Sequence, residues 1–244
     1  MENTCRMLKL YQLLIEAGIT HNDIKKLTDF PEMRKRLVGF WKKGGCFEPS
    51  SSQKQARKVM KNNFFGIEEA IKYFHVDPTD QQIASLAELP FSVKKLEKVK
   101  NKCILLAVFP LSVAEIYDKV GEKYFYNHHF TFTKKSVEQG KAEWVLLRKT
   151  PLKNSIGKKF KEQRALILTK EGMAIPSLRE MVYAILGHHL ATDERIFENV
   201  GVRTSDIDEN GNHIFVGIYD FEGVRINARR DIEIDYVGIT SIQK

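Results

Sequence analysis

Arg148, Lys149, Lys153, Lys158, Lys159 and Lys161 fall within one stretch, Arg148-Lys-Thr-Pro-Leu-Lys153-Asn-Ser-Ile-Gly-Lys158-Lys-Phe-Lys161-Glu-Gln-Arg164. A basic strand end there leads through a Pro/Asn/Ser/Gly loop into a basic helix. Lys158 and Lys161 lie on one helix face, and the unpaired N–H groups at a helix start attract anions. The chemistry on offer is contact with phosphate. The competing reading is an exposed basic helix on which Glu162 and Arg164 pair locally. Two earlier segments repeat the pattern: Lys54, Arg57, Lys58 and Lys61, then Lys94, Lys95 and Lys98 on a helix reaching Lys102. Each phosphate neutralised by Lys or Arg releases counterions, so such contacts weaken as salt rises. Reading bases needs a dedicated element, and the sequence carries no zinc finger, no RNP aromatic motif and no Gly-x-x-Gly loop. DNA or RNA would therefore be held by its backbone.

Other constellations are weaker. Asp206-Ile-Asp208-Glu-Asn210-Gly211 matches the first half of a calcium loop, but the twelfth position, where a bidentate glutamate belongs, is Gly217. A solvated hairpin turn is the expectation there. His128-His129 and His188-His189 are adjacent pairs, and neighbours in a strand or helix point apart, a poor arrangement for one ion. His188, near a helix end, can stabilise the dipole when protonated. No nucleophile elbow, phosphate-binding loop or dinucleotide fingerprint is present. Asp118, Glu143, Glu162 and Asp193-Glu194 could serve a metal-dependent hydrolase, but their spacing selects nothing. No metal and no cofactor is expected.

The 244 residues suffice to bury a core without staples. Net charge is +8 and unevenly spread: residues 1–104 carry +7, 105–140 are neutral, 141–180 carry +6 and 181–244 carry −5. That polarity can steer a polyanion to one side. Three cysteines, Cys5, Cys46 and Cys103, lack zinc or redox spacing, which points to a reducing compartment. The start of the sequence lacks the basic-then-apolar order of a signal peptide, and no apolar run reaches membrane-spanning length. The expected setting is cytoplasmic, with no membrane partner.

The elements that must position the basic residues are mostly helices over 1–102. Leu10, Leu13, Leu14 and Ala17 recur at helical spacing before Gly18, and Thr20 caps the next helix. Pro31 opens another, with Met33, Leu37, Phe40 and Trp41 on its apolar side. Phe47-Glu-Pro-Ser-Ser-Ser52 reads as a loop and a candidate boundary, after which Ser52 is expected to cap. Ser92, Ser112 and Ser177 are further caps. Residues 103–244 form a mixed sheet-and-helix domain: Cys103–Phe109, Phe130–Thr133 and Glu143–Arg148 read as strands, and Phe160, Ala165 and Leu168 as a core-facing helix side. Val200–Thr204, His213–Tyr219, Val224–Ala228 and Val237–Ile242 read as a closing antiparallel meander. Helices segregated from antiparallel strands define an α+β fold.

Phe65-Gly-Ile-Glu-Glu-Ala-Ile, Leu89-Pro-Phe-Ser92, Leu105-Leu-Ala-Val-Phe-Pro-Leu-Ser112 and Trp144-Val-Leu-Leu-Arg-Lys-Thr-Pro151 give the chain a likeness to known proteins. Through these stretches it resembles an uncharacterised bacterial protein group of the small-genome, candidate-phylum type. Lys161-Glu-Gln163, Ile175-Pro176, Val202-Arg-Thr-Ser205 and Val216-Gly-Ile-Tyr-Asp220 extend the resemblance over most of the chain beyond residue 60. The resemblance implies no activity and carries over no catalytic residue.

The sequence therefore leads to a non-enzymatic cytosolic binding protein that engages a nucleic-acid backbone through basic helices. Two alternatives stand beside it. One is a structural or partner-binding protein with an exposed apolar patch that draws on Trp41, Phe64 or Phe65. The other is a nuclease or other hydrolase with a cleft in which Arg148 and Glu162 converge.

Overall fold

The computed structural model describes residues 2–16, 18–31, 34, 49–126, 141–169 and 171–244. The helix side expected at Met33, Leu37, Phe40 and Trp41, the strand expected at Phe130–Thr133 and the pair His128-His129 lie outside the described residues. The chain is α+β. It divides into two compact units, 1–48 and 49–244, and the division falls within the stretch Phe47–Ser52 that the sequence offers as a boundary.

The first unit holds α1 (Glu2–Glu16) and α2 (His21–Asp29). Thr20 caps α2: its hydroxyl accepts from Asp23 N, and the Asp23 carboxylate accepts from Thr20 N. This reciprocal arrangement satisfies two N–H groups that a helix start leaves free.

The second unit begins with α3 (Ser51–Met60). Its cap is Ser50, two residues before the serine that the sequence favours: the Ser50 hydroxyl accepts from Gln53 N, and Gln53 Oε1 accepts from Ser50 N. A 3-10 turn at Lys61–Asn63 leads into β1 (Phe64–Phe65). Then follow α4 (Ile67–Phe74), α5 (Asp80–Ser85), α6 (Val93–Val99), β2 (Cys103–Val108) and α7 (Val113–Val120). After a second 3-10 turn (Glu122–Tyr124) come β3 (Glu143–Arg148), α8 (Phe160–Leu168) and α9 (Leu178–Thr192). The closing strands are β4 (Gly201–Ile207), β5 (His213–Asp220), β6 (Gly223–Arg229), β7 (Val237–Ile239) and β8 (Ile242–Gln243).

Two four-stranded mixed sheets result. The first has the order β1-β2-β3-β8, with β1 parallel to β2 and the other pairs antiparallel. The second has the order β6-β5-β4-β7. The antiparallel meander is β4-β5-β6. The last expected strand divides: β7 joins the second sheet parallel to β4, and β8 crosses to β3 in the first. Thr240 and Ser241 make that crossing, and both are buried; the Thr240 hydroxyl donates to Arg148 O at 2.9 Å. One short segment thereby ties the two sheets together.

Helix α9 is the centre of the unit, in contact with β1, β2, β4, β5, α4 and α7. It is buried nearly all round from Leu178 to His188, as expected of a helix wrapped by other layers. Tyr183 donates its hydroxyl proton to Ala107 O at 2.9 Å and meets the rings of Phe65 and Phe74. Gly187 makes that approach feasible, since a Cβ there would lie 3.1 Å from Phe65 and 3.2 Å from Phe74. Each buried aromatic of this kind contributes about 2–3 kcal/mol of transfer free energy.

Candidate nucleic-acid interface

The basic helices α3 and α6 pack against each other. α3 buries Gln53, Ala56 and Met60, which turns Lys54 and Lys58 to solvent. Gln53 Nε2 and Trp144 Nε1 both donate to Leu86 O, at 2.7 and 2.9 Å, and so fix α3 and β3 to a common point. α6 buries Leu96, leaving Lys94 and Lys98 exposed one turn apart, while the Lys95 ammonium lies 4.6 Å from the Phe91 ring centre. Asn63 Nδ2 donates to Lys100 O at 2.6 Å and pins the end of this basic segment beside β1.

The end of β3 arrives at the same place. Cys103 and Arg148 are register partners in the β2-β3 ladder, and Lys149 N donates to Lys102 O at 2.9 Å. The charges of Lys95, Lys102, Arg148 and Lys149 consequently all act on the Cys103 thiol. Burial pushes that thiol above its ordinary range, and the four cations only partly oppose it. Cys103 is thus a half-buried thiol that burial keeps protonated against the pull of nearby cations, and not an activated nucleophile.

These cations differ in how they are engaged. Lys149 is 3.3 Å from Glu194 Oε1, and Glu194 Oε2 is 3.1 Å from His188 Nε2. Arg148 Nε donates to Thr150 O at 3.2 Å. Arg57 is committed internally: its guanidinium pairs with Glu68 and Glu69 and lies 4.6 Å from the Phe64 ring centre. Burial lowers the Arg57 pKa, but the two carboxylates outweigh it and raise it overall. Lys61 is exposed and has a backbone of φ 51° and ψ −122°, a conformation seldom adopted by residues other than glycine.

The segment Lys153–Lys161 is held elsewhere, by the second sheet. Leu152 N donates to Ile239 O and Gly157 N to Val237 O. Beneath it lies a polar core that the sequence reading missed. Arg203, 1% exposed, donates to Lys158 O at 2.8 Å, to Gln163 Oε1 at 3.0 Å and to Ile232 O. Gln163 Nε2 donates to Ser155 O at 2.8 Å and Val237 O at 3.0 Å, and the Ser155 hydroxyl accepts from Ile239 N. Gln163 therefore turns inward, and the buried side of α8 is Gln163 and Ile167. Ala165 and Leu168, expected in the core, are exposed, Leu168 at 67%.

The start of α8 is already occupied by the chain's own carboxylates. Phe160 N donates to Asp231 Oδ1 at 2.6 Å and Lys159 N to Glu162 Oε2 at 3.2 Å. Lys158 precedes the helix, with its ammonium 3.7 Å from Glu162. Lys153, Lys159 and Lys161 are exposed. The Lys159 and Phe160 N–H groups are thus satisfied internally, and the groups this segment offers an anion are its lysines.

The remaining constellations have structural roles. Asp208 accepts from the N–H groups of Asn210 and Asn212, and Asp206 caps α9 through Leu178 N at 2.6 Å. The half calcium motif is a hairpin turn. His188 is 1% exposed, and burial pushes its pKa down despite Glu194, so it is neutral near pH 7 and lends no charge to the helix end. His189 instead meets the rings of Tyr124 and Tyr219. Among the described residues no three His, Cys, Asp or Glu side chains converge as a metal site. Phe64 and Phe65 are buried, so they form no apolar patch, and Trp41 lies outside the described residues.

Fold and site together define an α+β protein with a basic surface built by α3, α6 and the end of β3. No family model, no curated protein and no solved structure matches the chain. Among the described residues no helix is long and apolar enough to cross a membrane.

Proposed function

We propose that the chain is a non-enzymatic cytosolic protein that binds a nucleic-acid backbone through the surface formed by α6, the end of β3 and the outer side of α3. The observation that carries this reading is the gathering of Lys95, Lys102, Arg148 and Lys149 around Cys103, with Lys94 and Lys98 exposed on the adjoining helix. Two basic segments separated by some forty residues of sequence converge there, as an electrostatic footprint for phosphates requires. The neighbouring carboxylates, Glu97 on Lys100 and Glu194 on Lys149, moderate the field without cancelling it. The Lys153–Lys161 segment, carried by the second sheet, is a second and weaker contact.

Retention on heparin and binding to single- and double-stranded oligonucleotides across a salt series test this reading. Binding that falls linearly with salt on logarithmic axes supports it. Absence of binding at low ionic strength removes it.

A further inference from the structure

Between the end of α3, the turn at Lys61–Asn63, α4 and the end of α9 lies a cleft of about 260 Å³. Its walls include Arg57, Lys61, Glu68, Lys72, Tyr73 and Thr192. We propose that this cleft binds the phosphate monoester of a hydroxylated body, a phosphorylated sugar, either free or as the 5′ end of an RNA strand. The cleft adjoins the basic surface, and the strand-end form rests on the backbone-binding reading above.

The lining argues for both halves of that ligand. Lys61 is exposed, and its ammonium has no hydrogen bond or ion pair among the described residues. Its backbone is held at φ 51°, an outlier of the kind that collects at binding sites and that local packing must sustain. Lys72 supplies a second ammonium, whose only partners among the described residues are its neighbour's hydroxyl at 3.1 Å and ring at 4.7 Å. These two lysines are the phosphate-binding groups. Arg57 is not a third, because Glu68 and Glu69 hold it.

Those carboxylates would repel a bare polyphosphate. Glu69 uses both oxygens on Arg57 and Gly66 N, whereas among the described residues Glu68 uses only Oε2. Glu68, 41% exposed, keeps Oε1 open to a hydroxyl donor that enters the cleft. A phosphorylated sugar brings an anion for the lysines and hydroxyls for Glu68. The volume suits one such unit.

The cleft is also joined to the basic surface by direct bonds. Asn63, from the same turn, donates to Lys100 O at 2.6 Å. Thr192 accepts from Glu194 N at 3.2 Å, and Glu194 meets Lys149. The turn and the helix end that line the cleft are thus bonded to the segments that carry Lys100 and Lys149.

Calorimetric titration of the full chain with ribose 5-phosphate, ribose and inorganic phosphate tests the proposal, alongside 5′-phosphorylated and 5′-hydroxyl oligouridylates, whose terminal ribose keeps its 2′-hydroxyl. The proposal expects ribose 5-phosphate to bind at least about tenfold tighter than inorganic phosphate or ribose. Lys72→Met, which keeps the apolar stem, should weaken it about tenfold, and Glu68→Gln should erase the preference over inorganic phosphate. Urea unfolding confirms that each variant is folded. If the 5′-phosphorylated strand binds tighter than its 5′-hydroxyl counterpart and Lys72→Met removes only that increment, the strand end is the ligand. If ribose 5-phosphate binds but strands show no end preference, the ligand is a free phosphorylated sugar. If ribose 5-phosphate binds and no strand does, the backbone-binding reading fails while the cleft stands. Ribose 5-phosphate that does not bind, or that binds folded Lys72→Met unchanged, overturns the proposal.

Discussion

Cys103 and Arg148 face each other across the β2-β3 ladder, and that pairing brings the end of one basic segment beside the start of another. Lys149 N donates to Lys102 O one position on, so the approach is fixed by backbone bonds and not by the reach of flexible side chains. Strand register thus holds the backbone of these basic residues together before phosphates dock, which lowers the freedom lost on binding.

The pairing makes Cys103 a reporter for the surface. With Cys5→Ser and Cys46→Ser, Cys103 becomes the single thiol of the chain. Burial holds its pKa above the ordinary value, so alkylation by iodoacetamide should be slow at neutral pH and keep accelerating beyond the usual thiol range. A saturating oligonucleotide should slow it several-fold further. An alkylation rate indifferent to the oligonucleotide would place the contact elsewhere.

Arg203 holds the Lys153–Lys161 segment in place from beneath. Arg203→Met leaves Lys158 O, Gln163 Oε1 and Ile232 O without their donor in a dry interior. The expected cost is about 3 kcal/mol or more, seen as a lower urea midpoint. Arg203→Lys should recover only part of it, because one ammonium cannot match a planar fork. A loss under about 1 kcal/mol would show that these bonds matter little.

Stability should fall with pH in two separate windows. Burial pushes His188, His189 and His213 below the ordinary value of 6.5. The unfolded chain then binds more protons, so their contribution is complete above pH 6.5 and declines as pH falls through the native values. Glu180 acts lower. Burial raises its pKa, but Lys244 at 2.9 Å and the Ser177 N–H outweigh that and hold it below 4.5. Its contribution is present above pH 4.5 and disappears as pH falls through the lowered native value. Urea unfolding at intervals from pH 7.5 to pH 3.5 checks both. The deficit of Glu180→Gln should shrink only in the lower window, and a constant deficit would show that Glu180 acts without its charge.

The local features of the fold were readable because their causes are local. Thr20, Ser92, Ser112 and Ser177 cap helices as their spacing predicts. What escaped depends on distant partners. β1 is two residues long and is a strand only because β2 lies beside it. Val237–Ile242 reads as one strand, yet its halves pair with different sheets. Gln163 looks like a surface residue until the buried guanidinium of Arg203, forty positions away, supplies a reason to turn inward. Within the candidate site, the cations themselves were legible from composition. Their sorting was not: Arg57 is withdrawn by Glu68 and Glu69, and Lys102 is drawn to Lys149 by strand register.

The most direct test is fluorescence anisotropy of a labelled oligonucleotide, titrated at several salt concentrations with three proteins. These are the unaltered chain, a variant with Lys94, Lys98, Lys102 and Arg148 all changed to Ala, and a variant with Lys158, Lys159 and Lys161 changed to Ala. Each phosphate contact contributes about 0.9 to the logarithmic salt slope on duplex DNA, so the fourfold variant should lose up to about 3–4 from it and bind far more weakly. The threefold variant should lose less. Binding by the fourfold variant that matches the unaltered chain in affinity and slope would contradict the account.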